Sequence, residues 1–239
     1  MSGFKKDSHG VAGWLGWEGD PDDDTAHKTI LNWLRDVATT GFLGSAESLS
    51  NAVKGNLGEF IAYRLGSSYV FTNNTIANGA NTWDPLSRIS RPDIDIVWLH
   101  IGDSKSDDWA AIQEVKTTGE ASLRLAEDLN KDYDKLFGEN VRLTIQTRLG
   151  ALKNELEQQG QRDLGPRVTA LGGPSPSFAN GIRLIPTLVH DAEHTSTTKM
   201  TAIRQVLIGQ GWSSDVVECW SVALSDLDSR LARLARGQL

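Results

Sequence analysis

The sequence has very little cysteine and no long apolar run, and each shortage excludes a class of protein. Its single cysteine, Cys219, cannot form an internal disulfide or supply a zinc knuckle. No stretch approaches the roughly 18 consecutive apolar residues that a membrane-spanning helix needs. The first residues also lack the pattern of a secretory signal peptide. We therefore expect a cytoplasmic protein that does not interact with a membrane.

Positive charge is also scarce. The chain has 24 lysines and arginines against 31 aspartates and glutamates, which gives a formal net charge of −7. The densest basic stretch, residues 230–236, holds three arginines. An acidic chain repels a polyanion, so binding to DNA through the net charge of the protein is excluded. Contact with nucleic acid would need a local patch, a metal ion or a partner protein. The chain also has no glycine-rich phosphate-binding loop, so it is not expected to hydrolyse ATP by itself.

What the sequence does contain is enough apolar material for a core, since 39% of its 239 residues are hydrophobic. Helix-like and strand-like patterns alternate along the chain, which predicts an α/β domain around one sheet. Residues 1–24 are predicted as an irregular lead-in, and 73–91 and 160–180 as loops. Residues 1–44 are predicted to be an N-terminal extension of a domain over 45–239. The expected helices cover 25–41, 45–66, 120–138, 149–159, 198–209 and 226–236, and the expected strands cover 68–72, 93–99, 109–116, 182–189 and 216–224.

Charged residues are closely spaced on two of these predicted strands. Asp93 and Asp95 share one face of the first strand, and Glu114 and Lys116 share one face of the next. The turn-rich segment between the strands has the right length for a hairpin, so Asp95, Glu114 and Lys116 are expected to meet. Two carboxylates and the backbone carbonyl of Val115 suit a hard divalent cation. A lysine beside them can support negative charge on a phosphate. This combination favours metal-assisted hydrolysis of phosphodiesters.

These segments, residues 91–97 and 112–117, resemble the PD-(D/E)XK nuclease superfamily, in which an Asp leads one strand and a Glu-x-Lys ends the next. Upstream, residues 55–65 are similar to the first core helix of that superfamily. The resemblance covers residues 55–117, about a quarter of the chain. It implies a restriction-endonuclease-like fold, with a central mixed sheet flanked by helices, here with an N-terminal helical extension.

The resemblance also implies roles for individual residues. Glu59, Asp95, Glu114 and Lys116 would form the catalytic set. Asp95, Glu114, Glu59 and the carbonyl of Val115 would hold Mg²⁺ or Mn²⁺. Residues 103–105 also have the sequence Asp-x-Lys. They lie in a polar turn with no apolar strand before it, so they are not assigned to the catalytic set.

Five further residues are candidates for supporting roles. Asp93 and Gln113 are candidates beside the metal, and Lys131, Tyr133 and Lys135 are candidates for contacts with the substrate backbone. The alternative for the last three is an ordinary solvated helix face.

The function that the resemblance implies is Mg²⁺-dependent hydrolysis of DNA. The layout is similar to the nuclease subunits of bacterial anti-phage defence systems such as Hachiman, which implies a helicase or translocase partner. Trp33 and the leucine and arginine stripe around Leu231 are candidate docking surfaces. Three alternatives stay open: a catalytically silent scaffold subunit with this fold, a restriction or repair endonuclease acting alone, and a face of ordinary cross-strand salt bridges.

A second motif points to different chemistry. Residues 190–194 fit the H-x-x-E-H pattern of inverted zinc peptidases. That chemistry needs both histidines one turn apart on a helix, whereas His190 closes an apolar run that is predicted to be a strand. A zinc site is therefore disfavoured here. Cys219, inside another apolar run, is expected to be a buried, inert thiol.

Overall fold

The computed structural model describes residues 5–6, 11–16, 25–44, 49–71, 75–79, 84–87, 94–137, 141–173 and 181–238. Within these residues the chain forms one mixed sheet with helices on both faces, which confirms the expected α/β class. The strands are β1 (Lys5–Lys6), β2 (Val11–Gly16), β3 (Thr75–Gly79), β4 (Ile96–His100), β5 (Trp109–Thr118), β6 (Ile182–Asp191) and β7 (Cys219–Leu224). The helices are α1 (Thr25–Val37), α2 (Asn51–Leu65), α3 (Ala126–Phe137), α4 (Val141–Gln158), α5 (Gly165–Leu171), α6 (Thr197–Gly209) and α7 (Leu227–Ala235).

The order of the seven strands across the sheet is β1-β2-β7-β6-β5-β4-β3. Strands β2, β7, β6 and β5 run parallel to their neighbours in that series, whereas β4 is antiparallel to β5 and β3 is antiparallel to β4. The beginning of β4 therefore lies beside the middle of β5. This arrangement decides which side chains of the two strands meet.

Helices cover both faces of the sheet, so the inner strands are apolar almost throughout rather than alternating. In β4, Ile96 and Trp98 pack with residues of α1, α2 and α7. Val97 and Leu99 pack on the opposite face with residues of α3, α4, α5 and α6. The two layers hold the β4–β5 hairpin between them.

The segment after α2 differs from the sequence prediction. Residues 68–72 were expected to form a strand after a helix ending at Gly66, but Gly66–Val70 is a π-helical turn that continues α2. Gly66 has ordinary helical backbone angles, and a Cβ there would overlap the ring of Trp98. The glycine therefore allows close packing on β4 instead of ending the helix.

Other differences involve elements without a strong apolar pattern. The predicted loop 73–91 contains β3, which is held by backbone pairing with β4. The predicted loop 160–180 contains α5, which has a proline in its first turn. Residues 141–158 form the single helix α4. The expectation of an irregular lead-in is wrong for β2, because residues 11–16 pair in parallel with β7.

The apolar stripe of helix α7 packs into the core of the protein. Leu227, Leu231 and Leu234 are all buried and pack in the same core layer as α1 and α2. The prediction of a docking surface around Leu231 is therefore wrong, since these side chains are already covered. Trp33 on α1 is partly buried against the same layer, and the guanidinium of Arg64 lies 5.1 Å from its ring centre.

None of the described helices is both long enough and apolar enough to span a bilayer.

Candidate active site

The candidate site lies where β4 and β5 stop pairing. Ile96 pairs with Gln113, and the next positions toward the open end of the hairpin are Asp95 and Glu114. Here the backbone N–H of Val115 donates to a side chain and not to a backbone carbonyl: its acceptor is Oδ2 of Asp95, at 2.7 Å. The end of the ladder thus fixes one carboxylate beside the strand that carries the other.

Helix α2 brings a third carboxylate to this place. Ser50 caps the helix by accepting from the N–H of Val53, and Gly58 lies so close to β5 that a Cβ would overlap Oγ1 of Thr117. The next residue, Glu59, interacts through its side chain with the Asp95 carboxyl group and lowers its pKa. The glycine is therefore what allows Glu59 to approach the strand pair.

All three carboxylates are buried: Glu59, Asp95 and Glu114 are 7%, 8% and 5% exposed. Burial raises the pKa of Asp95 to about 6, although the N–H of Val115 and the Lys116 ammonium act in the opposite direction. Burial, and then repulsion from Asp95, raise the pKa of Glu114 well above its ordinary value. The cluster therefore carries more negative charge than its surroundings stabilise, and a cation or a proton relieves it.

Lys116 lies on the same face of β5 as Glu114, as the two-residue spacing predicts. Its charge lowers the pKa of both Asp95 and Glu114. Its Nζ is 2.5 Å from Oδ2 of Asp132 on α3. Burial by itself would lower the pKa of Lys116, but the hydrogen bond to Asp132 and the neighbouring carboxylates raise it. Lys116 is thus a charged ammonium between the acidic cluster and Asp132.

Sequence reasoning did not single out Asp132, which was read as part of a solvated helix face. A signal was present. Leu129 and Tyr133 belong to the buried stripe of α3, and Asp132 follows Leu129 by three residues, at the border of that stripe. What the sequence alone lacks is the packing of α3 against β5.

The supporting candidates have mixed outcomes. Asp93 lies outside the described residues. Gln113 is fully buried. Its side-chain amide accepts from Nε1 of Trp98 at 2.7 Å and donates to Oγ1 of Thr187 at 2.8 Å, so both of its polar atoms are used inside the sheet. The prediction of a substrate contact for Tyr133 is wrong, because its ring is fully buried and its hydroxyl donates to the carbonyl of Ile112 at 3.0 Å.

The two lysines of α3 are exposed and form ion pairs within the helix. Lys131 contacts Asp128 at 2.6 Å, and Lys135 contacts Asp132 at 3.0 Å. Their side chains are 67% and 77% exposed. Their proposed contacts with substrate stay a prediction.

The rival histidine motif begins at the end of strand β6 and continues into a turn, rather than lying on a helix. His190 is buried in β6, with Nδ1 2.7 Å from the carbonyl oxygen of Asp191 and Nε2 2.9 Å from Oγ of Ser221. The histidine therefore belongs to a polar network inside the fold. Cys219 is a buried free thiol, as expected.

The donor set of the cluster fits a hard divalent cation of the Mg²⁺ kind. In the part of the chain that the structure describes, no group of three or more His, Cys, Asp and Glu side chains is arranged to hold a metal ion. Mg²⁺ does not need such a group, since it usually takes one or two carboxylates and completes its shell with water and substrate phosphate. Asp95 and Glu114, with the carbonyl of Val115, supply that number of protein oxygens.

The chain was also compared with known proteins. No protein-family model and no curated protein matches it.

Proposed function

We propose that this protein is a Mg²⁺-dependent nuclease that hydrolyses phosphodiester bonds in DNA. The observation that carries the proposal is the burial of Glu59, Asp95 and Glu114 together, with Lys116 beside them, at the open end of one hairpin. A stable core has no need for three neighbouring buried acids, and the pKa values of two of them, Asp95 and Glu114, are raised. Perturbed carboxylates around a lysine are typical of a reaction centre.

Asp95 and Glu114, with the carbonyl of Val115, would hold the ion, and Glu59 would bind at the edge of the same group. The bound ion supplies Lewis-acid stabilisation of phosphate charge and a more acidic water. Lys116 donates hydrogen bonds from its ammonium to a phosphate oxygen and so stabilises the negative charge that grows in the transition state. The N–H of Val115 keeps the Asp95 carboxylate in place during these events. The buried layers around the hairpin limit the access of bulk water.

We further propose that the protein works as the effector subunit of an anti-phage defence complex, with a helicase or translocase that delivers the DNA. The support for a partner is the net charge of −7. DNA-binding proteins usually neutralise several phosphates with clustered lysine and arginine. A partner that holds the DNA removes that requirement.

The nuclease proposal is tested by incubating the purified protein with supercoiled, linear and single-stranded DNA, with and without Mg²⁺. We expect Mg²⁺-dependent cleavage by the wild type and the loss of nearly all of it in Glu114→Ala and Lys116→Ala. Asp163→Ala, in the short helical turn before α5 and far along the chain from the hairpin, is a control for charge removal. A folded wild type without cleavage, or two variants that cleave normally, would favour the scaffold alternative.

The partner proposal has its own measurement, which is the affinity of the protein alone for DNA near physiological salt. We expect weak binding that falls steeply as salt rises. Tight binding by the isolated protein would contradict the proposal and favour a nuclease that acts alone.

A further inference from the structure

Helix α3 is fixed to the strand that carries Glu114 and Lys116. The hydroxyl of Tyr133, buried between α3 and the sheet, donates to the carbonyl of Ile112 at 3.0 Å. Ala126 and Leu129 are also fully buried on this side of the helix. A hydrogen bond to the strand only two residues before Glu114 leaves the neighbouring part of α3 little freedom to slide. Asp132, next to Tyr133, is therefore held over β5.

Asp132 uses both of its oxygens. Oδ2 lies 2.5 Å from Nζ of Lys116, and Oδ1 lies 3.0 Å from Nζ of Lys135. The Lys116 and Asp132 side chains are 26% and 20% exposed, whereas that of Lys135 is 77% exposed. The contact with Lys116 is thus a partly buried bridge between a helix and a strand. The contact with Lys135 is an exposed pair within one helix turn, and such pairs contribute little.

The same helix offers a pair for comparison. Asp128 contacts Lys131 at 2.6 Å, and these side chains are 38% and 67% exposed. Asp128 feels the charge of Lys116, but among the described ion pairs its partner is Lys131 on its own helix. If the Asp132 contact were only a surface salt bridge, removing Asp128 or Asp132 would have the same effect. The two ion pairs differ in burial, and they differ in the lysine involved: Lys116 lies beside the acidic cluster, whereas Lys131 is an exposed residue of α3.

A lysine side chain loses rotamer freedom when it is ordered, and this loss costs free energy. A partner that orders the ammonium before substrate arrives removes this cost from the reaction step. We propose that Asp132 is a positioning residue that holds the Lys116 ammonium facing Asp95 and Glu114, ready for the scissile phosphate. This inference rests on the proposed nuclease function and assigns to that site a residue that the hairpin motif does not contain.

The experiment compares Asp132→Asn with Asp128→Asn, which removes the same charge one turn earlier on the same helix. For Asp132→Asn we expect kcat to fall roughly 10- to 100-fold, the range typical of groups that orient a ligand from outside. The KM for DNA and the affinity for Mn²⁺ should stay within about twofold of the wild type, because Asp132 is assigned contact with neither. Asp128→Asn should keep the wild-type kcat. Asp132→Glu, which retains the carboxylate, should recover part of the lost rate.

A double-mutant cycle shows whether Asp132 acts through Lys116. In a Lys116→Met background, Asp132→Asn should cause no further loss of kcat. A loss of the same size in both backgrounds would overturn the inference, and so would a normal kcat in Asp132→Asn or a change confined to KM. If Asp132→Asn does not fold, Asp132→Glu carries the same comparison against Lys116→Met. A wild type that does not cleave DNA overturns the proposed function as well, whereas a cleaving wild type with an unaffected Asp132→Asn overturns the inference alone.

Discussion

The β4–β5 hairpin buries carboxylates at both of its ends, and it treats them differently. At the turn, the Asp108 side chain is 2% exposed and accepts from Nε and Nη2 of Arg167 and from the N–H of Gly102. At the open end, Asp95 and Glu114 are buried side by side, and Nη2 of Arg148 donates to the backbone carbonyl oxygen of Asp95 at 3.5 Å. Lys116, whose charge lowers the pKa of both acids, also forms an ion pair with Asp132.

The comparison separates a structural acid from a reactive one. A buried carboxylate whose oxygens meet a forked guanidinium and a backbone N–H is satisfied, and it ties α5 to the hairpin turn. A buried group of carboxylates with one shared lysine stays costly until a cation or protons arrive. Burial of acids is therefore not informative by itself. What matters is whether the neighbouring positive groups satisfy them.

The largest expected effect comes from neutralising one acid at each end. Glu114→Gln should reduce DNA cleavage by more than the roughly 100-fold that outer supporting groups account for. It should also raise the metal-free melting temperature, since a repelled buried charge is removed. Asp108→Asn should leave cleavage within about twofold and lower the melting temperature by on the order of 5 °C, because the bonds to Arg167 are weakened. Cleavage assays and thermal unfolding in a chelator measure both. If both variants had the same profile, the distinction between the two ends would be lost.

The next effect is on the pH dependence of stability at the open end. The pKa of Asp95 is about 6 in the folded protein against an ordinary value of 3.8. Between these values the folded state binds a proton that the unfolded state has released, so stability falls as pH rises through this window. The loss is about 3 kcal/mol by neutral pH.

Urea unfolding of the metal-free protein from pH about 4 to pH about 7 checks this expectation. Asp95→Asn should lack this part of the decline, and Mg²⁺ should restore stability to the wild type near neutral pH rather than near pH 4. Parallel profiles for the wild type and Asp95→Asn would contradict the assignment of the raised pKa to Asp95.

A smaller effect concerns the helix that brings Glu59 to the open end. In Gly58→Ala the new methyl would overlap Oγ1 of Thr117, so α2 must move away from β5. We expect a loss of about 1–3 kcal/mol in the free energy of unfolding, and a loss of cleavage because Glu59 moves too. Gly55→Ala is the matched control, since nothing lies within 4 Å of a Cβ there. It should gain about 0.5–1 kcal/mol from helix propensity. A Gly58→Ala variant as stable as Gly55→Ala would show that the close approach is dispensable.

The smallest effect is that of Tyr133→Phe, which removes the hydroxyl bond from α3 to Ile112. Chemical unfolding should show a loss of about 1 kcal/mol, as for one buried hydrogen bond. The KM for DNA should not change, because the ring is covered by the protein. An increase in KM without a change in stability would instead support the substrate contact that the sequence suggested.

The spacing of Asp95, Glu114 and Lys116 could be read from the sequence because only local rules were needed. Strand alternation decides the face, and the hairpin length decides which residues are opposite each other. Asp132 could not be placed, since its role depends on how α3 packs against β5, over a longer separation in sequence. For Tyr133 the apolar positions of α3 indicated burial, but the lysines on either side of it suggested an exposed face.

The same limit explains the errors in the fold. Strand β3 is held by backbone pairing with β4 and has a weak hydrophobic pattern. Strand β2 is apolar but is interrupted by glycine, and its partner β7 lies far away in the sequence. At Gly66 the sequence rule for a helix end competed with a packing demand from Trp98, and the packing demand decided the backbone. The central strands were predicted well because burial on both faces makes them strongly apolar.

The pairing of β2 with β7 has a consequence for the order in which the sheet assembles during synthesis on the ribosome. Val11 pairs with Cys219, so β2 cannot take its place in the sheet until residue 219 has been synthesised. Synthesis proceeds at about 5–20 residues per second, so this wait lasts on the order of 10 seconds or more. The hairpin with Asp95 and Glu114, and α3 with Asp132, emerge well before that closure. The acidic cluster is therefore built from segments that are synthesised earlier, while the edge of β6 that will pair with β7 stays open until β7 has been made.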